Sequence, residues 1–413
     1  MSNNGWIFLA AAWIFLSGLD WWIEHLDLKL WKPVLPAELK DFYNQEQYSK
    51  SRDYHLDHHK LDTIQLCVTL VLGVAFLGMS GFQSLDFFVR RFAHTDLTAG
   101  LLFFGIWTVV LQILGLPFRI LKTFGVEQKY GFNRTTPKTF ILDIVKAAFL
   151  SLVLGAPLLA FVLWFFQRFG FNYWPWVWLA IVAFQLLLIW IAPVWILPLF
   201  NKLTPLPDGE LKKEIEAFAK AQNFELSGIF TMDGSKRSSK ANAFFTGFGK
   251  LKRIVLFDTL IAKHSVTELV AVLAHEIGHY RMKHIQRQLI VSVLSLGLML
   301  ALFSESIRGQ TLFILFQVEV PSIYMGLVLF SLVYSPIAKI TGLWSLWLSR
   351  KYEFEADEYS IRTYAHPAAL ADALKRLSTE NLSNLTPHPL KVFLEYTHPP
   401  VLKRIQAIRA LMS

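Results

Sequence analysis

The chain has 413 residues, of which 54% are hydrophobic, 15% aromatic and only 17% charged, with a mean hydropathy of +0.40. That is more apolar surface than a water-soluble domain of this length needs for a core, so membrane insertion is the first reading, and the formal charge of +9 reflects basic loops rather than a nucleic-acid surface. The lone Cys67 excludes an intrachain disulfide and falls in an apolar run, where it is expected to pack as a small hydrophobe.

Apolar runs of about 20 residues, the length that crosses a bilayer, fall near 6–24, 63–82, 98–118, 145–167, 173–200, 287–306 and 322–347, which predicts seven spanning helices. The first has no basic residue ahead of it and carries Trp6, Trp13, Trp21 and Trp22, which suit an interfacial belt on a retained helix better than a cleaved signal. Lys29, Lys32, Lys40, Lys50, Arg52 and Lys60 follow the first span, and Arg119, Lys122, Lys129, Arg134 and Lys138 surround the end of the third. The alternate loops offer Arg90 and Arg91, then Arg168, then Arg308. The positive-inside rule therefore predicts an outer amino terminus and a cytoplasmic carboxyl terminus.

Four regions follow. Residues 1–200 carry five spans with cytoplasmic loops, 201–286 form a soluble insert, 287–350 carry the last two spans, and 351–413 form a polar, mostly helical tail. Within the insert, 211–222 has helical spacing, 228–232 and 254–257 read as short strands, and 267–280 is a helix whose start carries a capping box, Ser265 with Glu268 three residues on. The cluster His55, His58 and His59 lies in a highly charged loop without an adjacent base, and reads as a solvated face rather than a rival metal site.

That last helix contains His275-Glu276-Ile277-Gly278-His279. Residues four apart share a helical face, so both imidazoles reach one metal while Glu276 sits beside them as a base. A catalytic zinc site needs a third protein ligand and an open position. A third histidine six residues on is excluded, because position 282 is Met and 285 is Ile, and His284, five residues past His279, is off the ligand face and reads as solvated or as a support behind the ligands. Glu305 and Glu319 fall on the predicted outer side. Glu353 and Asp357 follow the last span on the histidine side and are four apart, which favours Glu353 as ligand and Asp357 as the support of a ligand histidine.

With those residues in view, the sequence resembles the zinc-dependent type I CAAX prenyl endopeptidases. Glu353-Phe354-Glu355-Ala356-Asp357 resembles that family's second zinc motif, and 234–245 with 253–260 its substrate groove. His398-Pro399-Pro400 with Arg404, and upstream 48–54 and 127–136, are also similar, in family order along nearly the whole chain. The resemblance implies an α-helical polytopic membrane protein of about seven spans, ringed around a large water-filled chamber, with a gluzincin-like α+β protease domain on the cytoplasmic side. It implies one Zn2+ per chain on His275, His279 and Glu353, Glu276 as base, His398 and Arg404 facing the developing oxyanion, and Asn242 and Ala243 on an edge strand that aligns a peptide. The implied partners are a prenylated peptide or protein, cut near its carboxyl terminus to release a tripeptide, and membrane lipid, with no nucleic acid. The implied compartment is a bacterial inner membrane or a eukaryotic endoplasmic reticulum or inner nuclear membrane.

Three alternatives stand beside it. One is a general membrane quality-control protease. An intramembrane protease of the site-2 type has a superficial echo in Leu206-Pro207-Asp208-Gly209, but that stretch is soluble and the histidine helix is short and flanked by Lys263, Arg281 and Lys283. The last is a non-catalytic scaffold or channel of the same fold, which requires no bound zinc.

Overall fold

A computed structural model of the chain describes residues 4–246 and 253–412. Among these, seven helices are long and apolar enough to cross a membrane: Gly5–Lys29, Gln45–Gly78, Asp96–Glu127, Pro137–Phe169, Phe171–Phe200, His284–Arg308 and Ile323–Thr363. Each contains or overlaps one of the expected apolar runs, but several continue well beyond it. The second begins at Gln45, where Asn44 and Gln47 form a reciprocal capping box. The expected charged loop of His55, His58 and His59 is therefore helix, and it is not simply solvated: His55 Nε2 lies 2.9 Å from the Leu382 carbonyl oxygen and His58 Nε2 3.2 Å from Glu127 Oε1. Cys67, expected to be packed, is exposed on the same helix.

Three spans contain a wide turn beside a proline: Leu121–Glu127 after Pro117, Ser151–Gly155 before Pro157, and Ala192–Ile196 around Pro193. A proline inside a helix removes one hydrogen bond and clashes with the preceding turn, and a π-helical turn absorbs both.

The spans contact one another as a ring. The first packs on the second, the second on the end of the third, and so on through the sixth and seventh, with the seventh returning to the first. At the end of the ring away from the soluble insert, the space between the helices is filled by Trp6, Phe82, Phe103, Phe166, Phe303 and Tyr324, drawn from five spans and the connection after the second. Away from this plug the spans bury little of themselves: none of the most apolar stretch of the fifth span and 6% of that of the second is buried inside the protein.

The soluble insert contains a four-stranded sheet, β1 (Leu203–Pro205), β2 (Gly228–Met232), β3 (Ala243–Thr246) and β4 (Arg253–Phe257), in the order β1-β2-β4-β3. Strands β2 and β4 run parallel and the other pairs are antiparallel, so β3 is an edge. Ile229, Ile254 and Leu256 meet Ile215 and Phe218 from the helix Glu210–Ala221, and Leu269, Val270, Leu273 and Ile277 from the helix Val266–Arg281. Each such side chain, taken fully out of water, contributes about 1.5–3 kcal/mol.

The tail folds back over the connection between the first two spans. Leu28, Trp31, Leu39 and Tyr48 pack on Leu385 and Ile405. Beneath them Asp27, 2% exposed, accepts from Asn384 Nδ2 at 2.9 Å and His388 N at 2.6 Å, and pairs with Lys391 Nζ at 3.2 Å. Glu24 approaches the same ammonium at 2.5 Å. Removing Asp27 would leave a buried amide and a buried ammonium short of a partner. Asp27→Ala is expected to cost about 3 kcal/mol, read as a lowered melting temperature of the purified protein in detergent.

Candidate active site

The helix Val266–Arg281 begins at Ser265, whose side chain accepts from Glu268 N while Glu268 Oε2 accepts from Ser265 N. Those two bonds satisfy donors that a helix start otherwise leaves open. Ile277, fully buried, faces the sheet, while Gly278 faces the seventh span. A Cβ at Gly278 would lie 3.2 Å from Ala356 Cα and 3.1 Å from Tyr359 Cβ, so the absence of a side chain lets the two helices approach backbone to backbone. Ser360 Oγ donates to the Ala271 carbonyl at 2.8 Å and pins the same contact.

That approach brings three donors together. His275 Nε2 and His279 Nε2 are 3.1 Å apart, Glu353 Oε2 is 3.5 Å from the first and Glu353 Oε1 3.4 Å from the second. One ligand atom from each of the three residues lies within 4.8 Å of the others. Two imidazoles and one carboxylate are the donor set of a hydrolytic zinc site with an open position. A metal also fits the buried Glu353 Oε2, which has no hydrogen bond of good geometry although Arg404 Nη1 stands 3.0 Å away.

Behind the donors, Asp357 Oδ1 lies 2.9 Å from His275 Nδ1, which sets the proton on Nδ1 and leaves Nε2 bare. Burial pulls the His275 pKa down most strongly, but the Asp357 hydrogen bond together with the negative charges of Asp357 and Glu353 outweighs it and leaves the imidazole more basic than usual. Arg404, 7% exposed, holds Asp357 through Nε at 2.8 Å and Nη2 at 2.6 Å. The same guanidinium reaches Glu353 Oε2 with Nη1 at 3.0 Å, so Arg404 meets both carboxylates. His398 is exposed, with Nε2 3.3 Å from Glu353 Oε1 and Nδ1 2.9 Å from Thr397 Oγ1.

Glu276 is half-buried and shares a small cavity with Ala243 and Phe244 of β3 and with Val272 and Leu273. Desolvation pushes its carboxyl pKa up, and the neighbouring His275 and His279 only partly offset that. A carboxylate so placed is a stronger base than one in water. Asn242 is exposed at the start of β3, its carbonyl accepting from Phe257 N and its Oδ1 from Ala243 N. Only the inner edge of β3 is paired with another strand among the described residues.

One residue of this neighbourhood was not legible from spacing. His284, expected off the ligand face, is buried and its Nδ1 lies 3.1 Å from His279 Nδ1. The helical count fails because the histidine helix ends at Arg281, and Lys283, at φ +59°, turns the chain into the sixth span.

Comparison with known proteins comes to the same region of sequence space from both halves. The description "CAAX prenyl protease N-terminal, five membrane helices" matches residues 24–202, and "Peptidase family M48" matches 205–412. The chain is 34% identical to the CAAX prenyl protease 1 homolog of Arabidopsis thaliana, covering 97% of this chain and 96% of that one. It is 33% identical to CAAX prenyl protease 1 of Saccharomyces cerevisiae, over 92% and 89% of the two chains. The crystal structure of S. mikatae Ste24p superimposes with a TM-score of 0.92 at 32% identity, covering 98% of this chain and 99% of that one.

The helix contact at Gly278 has a direct consequence. Gly278→Val must push Ala356, and with it Glu353, away from the two histidines, at an overpacking cost of about 1–3 kcal/mol. The expected outcome is reduced metal content after dialysis, measured by elemental analysis, with Gly278→Ala intermediate.

Proposed function

The chain belongs to the peptidase family M48 CAAX prenyl proteases, membrane metalloproteases, and we propose that it cuts prenylated CAAX-type peptides near the carboxyl terminus, releasing the terminal tripeptide. The observation that carries this reading is the convergence of His275, His279 and Glu353 beside Glu276 and next to the unpaired edge of β3. The metal we assign is zinc, one per chain, on those three residues. When bound, it supplies Lewis acidity toward the scissile carbonyl and the attacking water.

The chain's own groups do the rest. Glu276 takes the proton of the attacking water and passes it to the leaving amine, a task its raised basicity suits. His398, on the exposed side, donates to the oxygen that gains charge as the carbonyl is attacked. Asp357 orients His275, and Arg404 holds Asp357 and balances the charge of Glu353, which would otherwise be buried with too few partners. A substrate in extended form adds to the edge of β3 at Asn242 and Ala243, so that main-chain hydrogen bonds set which peptide bond meets Glu276. The asymmetry of basic residues between alternate loops supports a cytoplasmic position for this site in a multi-pass membrane protein.

Glu276→Gln removes the base without removing a ligand. Release of tripeptide from a farnesylated peptide is expected to fall by about 10²–10⁴-fold with zinc content unchanged; full activity would remove Glu276 from the role of base, and a parent protein that neither binds zinc nor releases tripeptide would return the scaffold reading. A second measurement concerns the lipid. The prenylated form of one peptide is expected to be cleaved faster than the bare form, and equal rates in a direct comparison would favour general membrane proteolysis.

A further inference from the structure

Each ligand histidine has a second ring nitrogen whose partner decides which nitrogen is free for a metal. For His275 that partner is Asp357. For His279 it is another imidazole, that of His284, the first residue of the sixth span. His284 is 2% exposed and lies flat on the ring of Tyr352, with centroids 4.2 Å apart and planes 9° from parallel. Its Nε2 is 2.9 Å from Glu355 Oε2. Glu355 is half-buried, with Lys351 Nζ 3.6 Å from its other oxygen and Arg287 Nη1 4.0 Å from Oε2.

A neutral imidazole has one N–H and one bare nitrogen. The Glu355 carboxylate can only accept, so the N–H of His284 is on Nε2 and its Nδ1 is bare. The proton between the two Nδ1 atoms then belongs to His279, whose Nε2 is left as a lone pair aimed at His275 and Glu353. Tyr352, on which His284 stacks, is the residue before the third ligand, so one ring touches both ligand-bearing helices.

We propose that His284 is a positioning residue for the metal site: it relays the Glu355 carboxylate to His279, fixes His279 as an Nε2 ligand, and braces the Tyr352–Glu353 turn of the seventh span. The two ligand histidines are thus each backed by a carboxylate, directly for His275 and through one intervening imidazole for His279. This rests on the zinc reading given above.

The test is the zinc affinity of the purified full chain, measured by competition with a chelator, alongside the melting temperature of each metal-free protein. An asparagine amide places its oxygen near the Nδ1 position and a glutamine amide near Nε2. His284→Gln, which loses the acceptor facing His279, is expected to weaken zinc binding by about ten- to a hundredfold, whereas His284→Asn stays closer to the parent. Parent affinity in a stably folded His284→Gln protein overturns the proposal. So does equal weakening in both variants, which would assign the residue to packing on Tyr352 alone. Where His284→Gln does not fold, Glu355→Gln keeps the buried ring, and weaker zinc binding supports the relay while parent affinity overturns it. A parent protein that holds no zinc fails the metal reading itself, before any variant is compared.

Discussion

Two of the three donors sit on one helix and the third on another, so the distance between Val266–Arg281 and the seventh span decides whether there is a site at all. Helices usually pack with their axes about 8–10 Å apart, depending on the side chains between them. Here the separation is set by a glycine facing an alanine, Gly278 over Ala356, with Ser360 bonded to the Ala271 carbonyl one turn away. The consequence is that the residues flanking this contact, Glu353 and Asp357 on one helix and His275 and His279 on the other, meet across it. The glycine in the histidine motif is thus a packing requirement, and the chemistry of the motif depends on it.

Closeness brings an electrostatic difficulty. Glu353, Asp357 and Arg404 are each less than a tenth exposed, and an isolated buried charge costs several kcal/mol. The arrangement resolves this by making every charge answer two others: Arg404 meets both carboxylates, and each carboxylate meets a ligand histidine. Such a cluster holds its side chains in one arrangement, which is what a metal site needs from its surroundings. It also gives the tail a part in the site, since Arg404 and His398 come from the last stretch of the chain and are tethered by the packing of Leu385 and Ile405 against the first loop.

Much of this could be read from the sequence, and the parts that could not share a physical cause. Apolar runs marked all seven spans, and the histidine spacing marked a helical face, because both signals are periodic or continuous. The polar first half of the second helix carries no apolar stripe, so His55 and His58 read as loop residues although they bond to Leu382 and Glu127. Strand β1 has three residues and β3 four, too few for a period of two to stand out, and β3 entered the reading only through family resemblance. His284 could be read only as solvated or as a support, because the turn at Lys283 that brings it behind His279 has no periodic signature. The orientation of Arg404 toward Asp357 is a tertiary fact with no local signature.

The seventh helix runs, with Pro336 inside it, from the aromatic plug at Tyr324 to the ligand Glu353 and beyond. At about 1.5 Å per residue, that stretch is a rod of roughly 44 Å, anchored at one end and bearing a metal ligand at the other. A tilt of about 5° would carry the far end through roughly 4 Å, more than the spacing between the donor atoms. Helices answer a change in bilayer thickness chiefly by tilting. One helix thus belongs both to the lipid-facing ring and to the reaction centre, and the contacts at Gly278 and Ser360 are what hold its far end in step with the histidines.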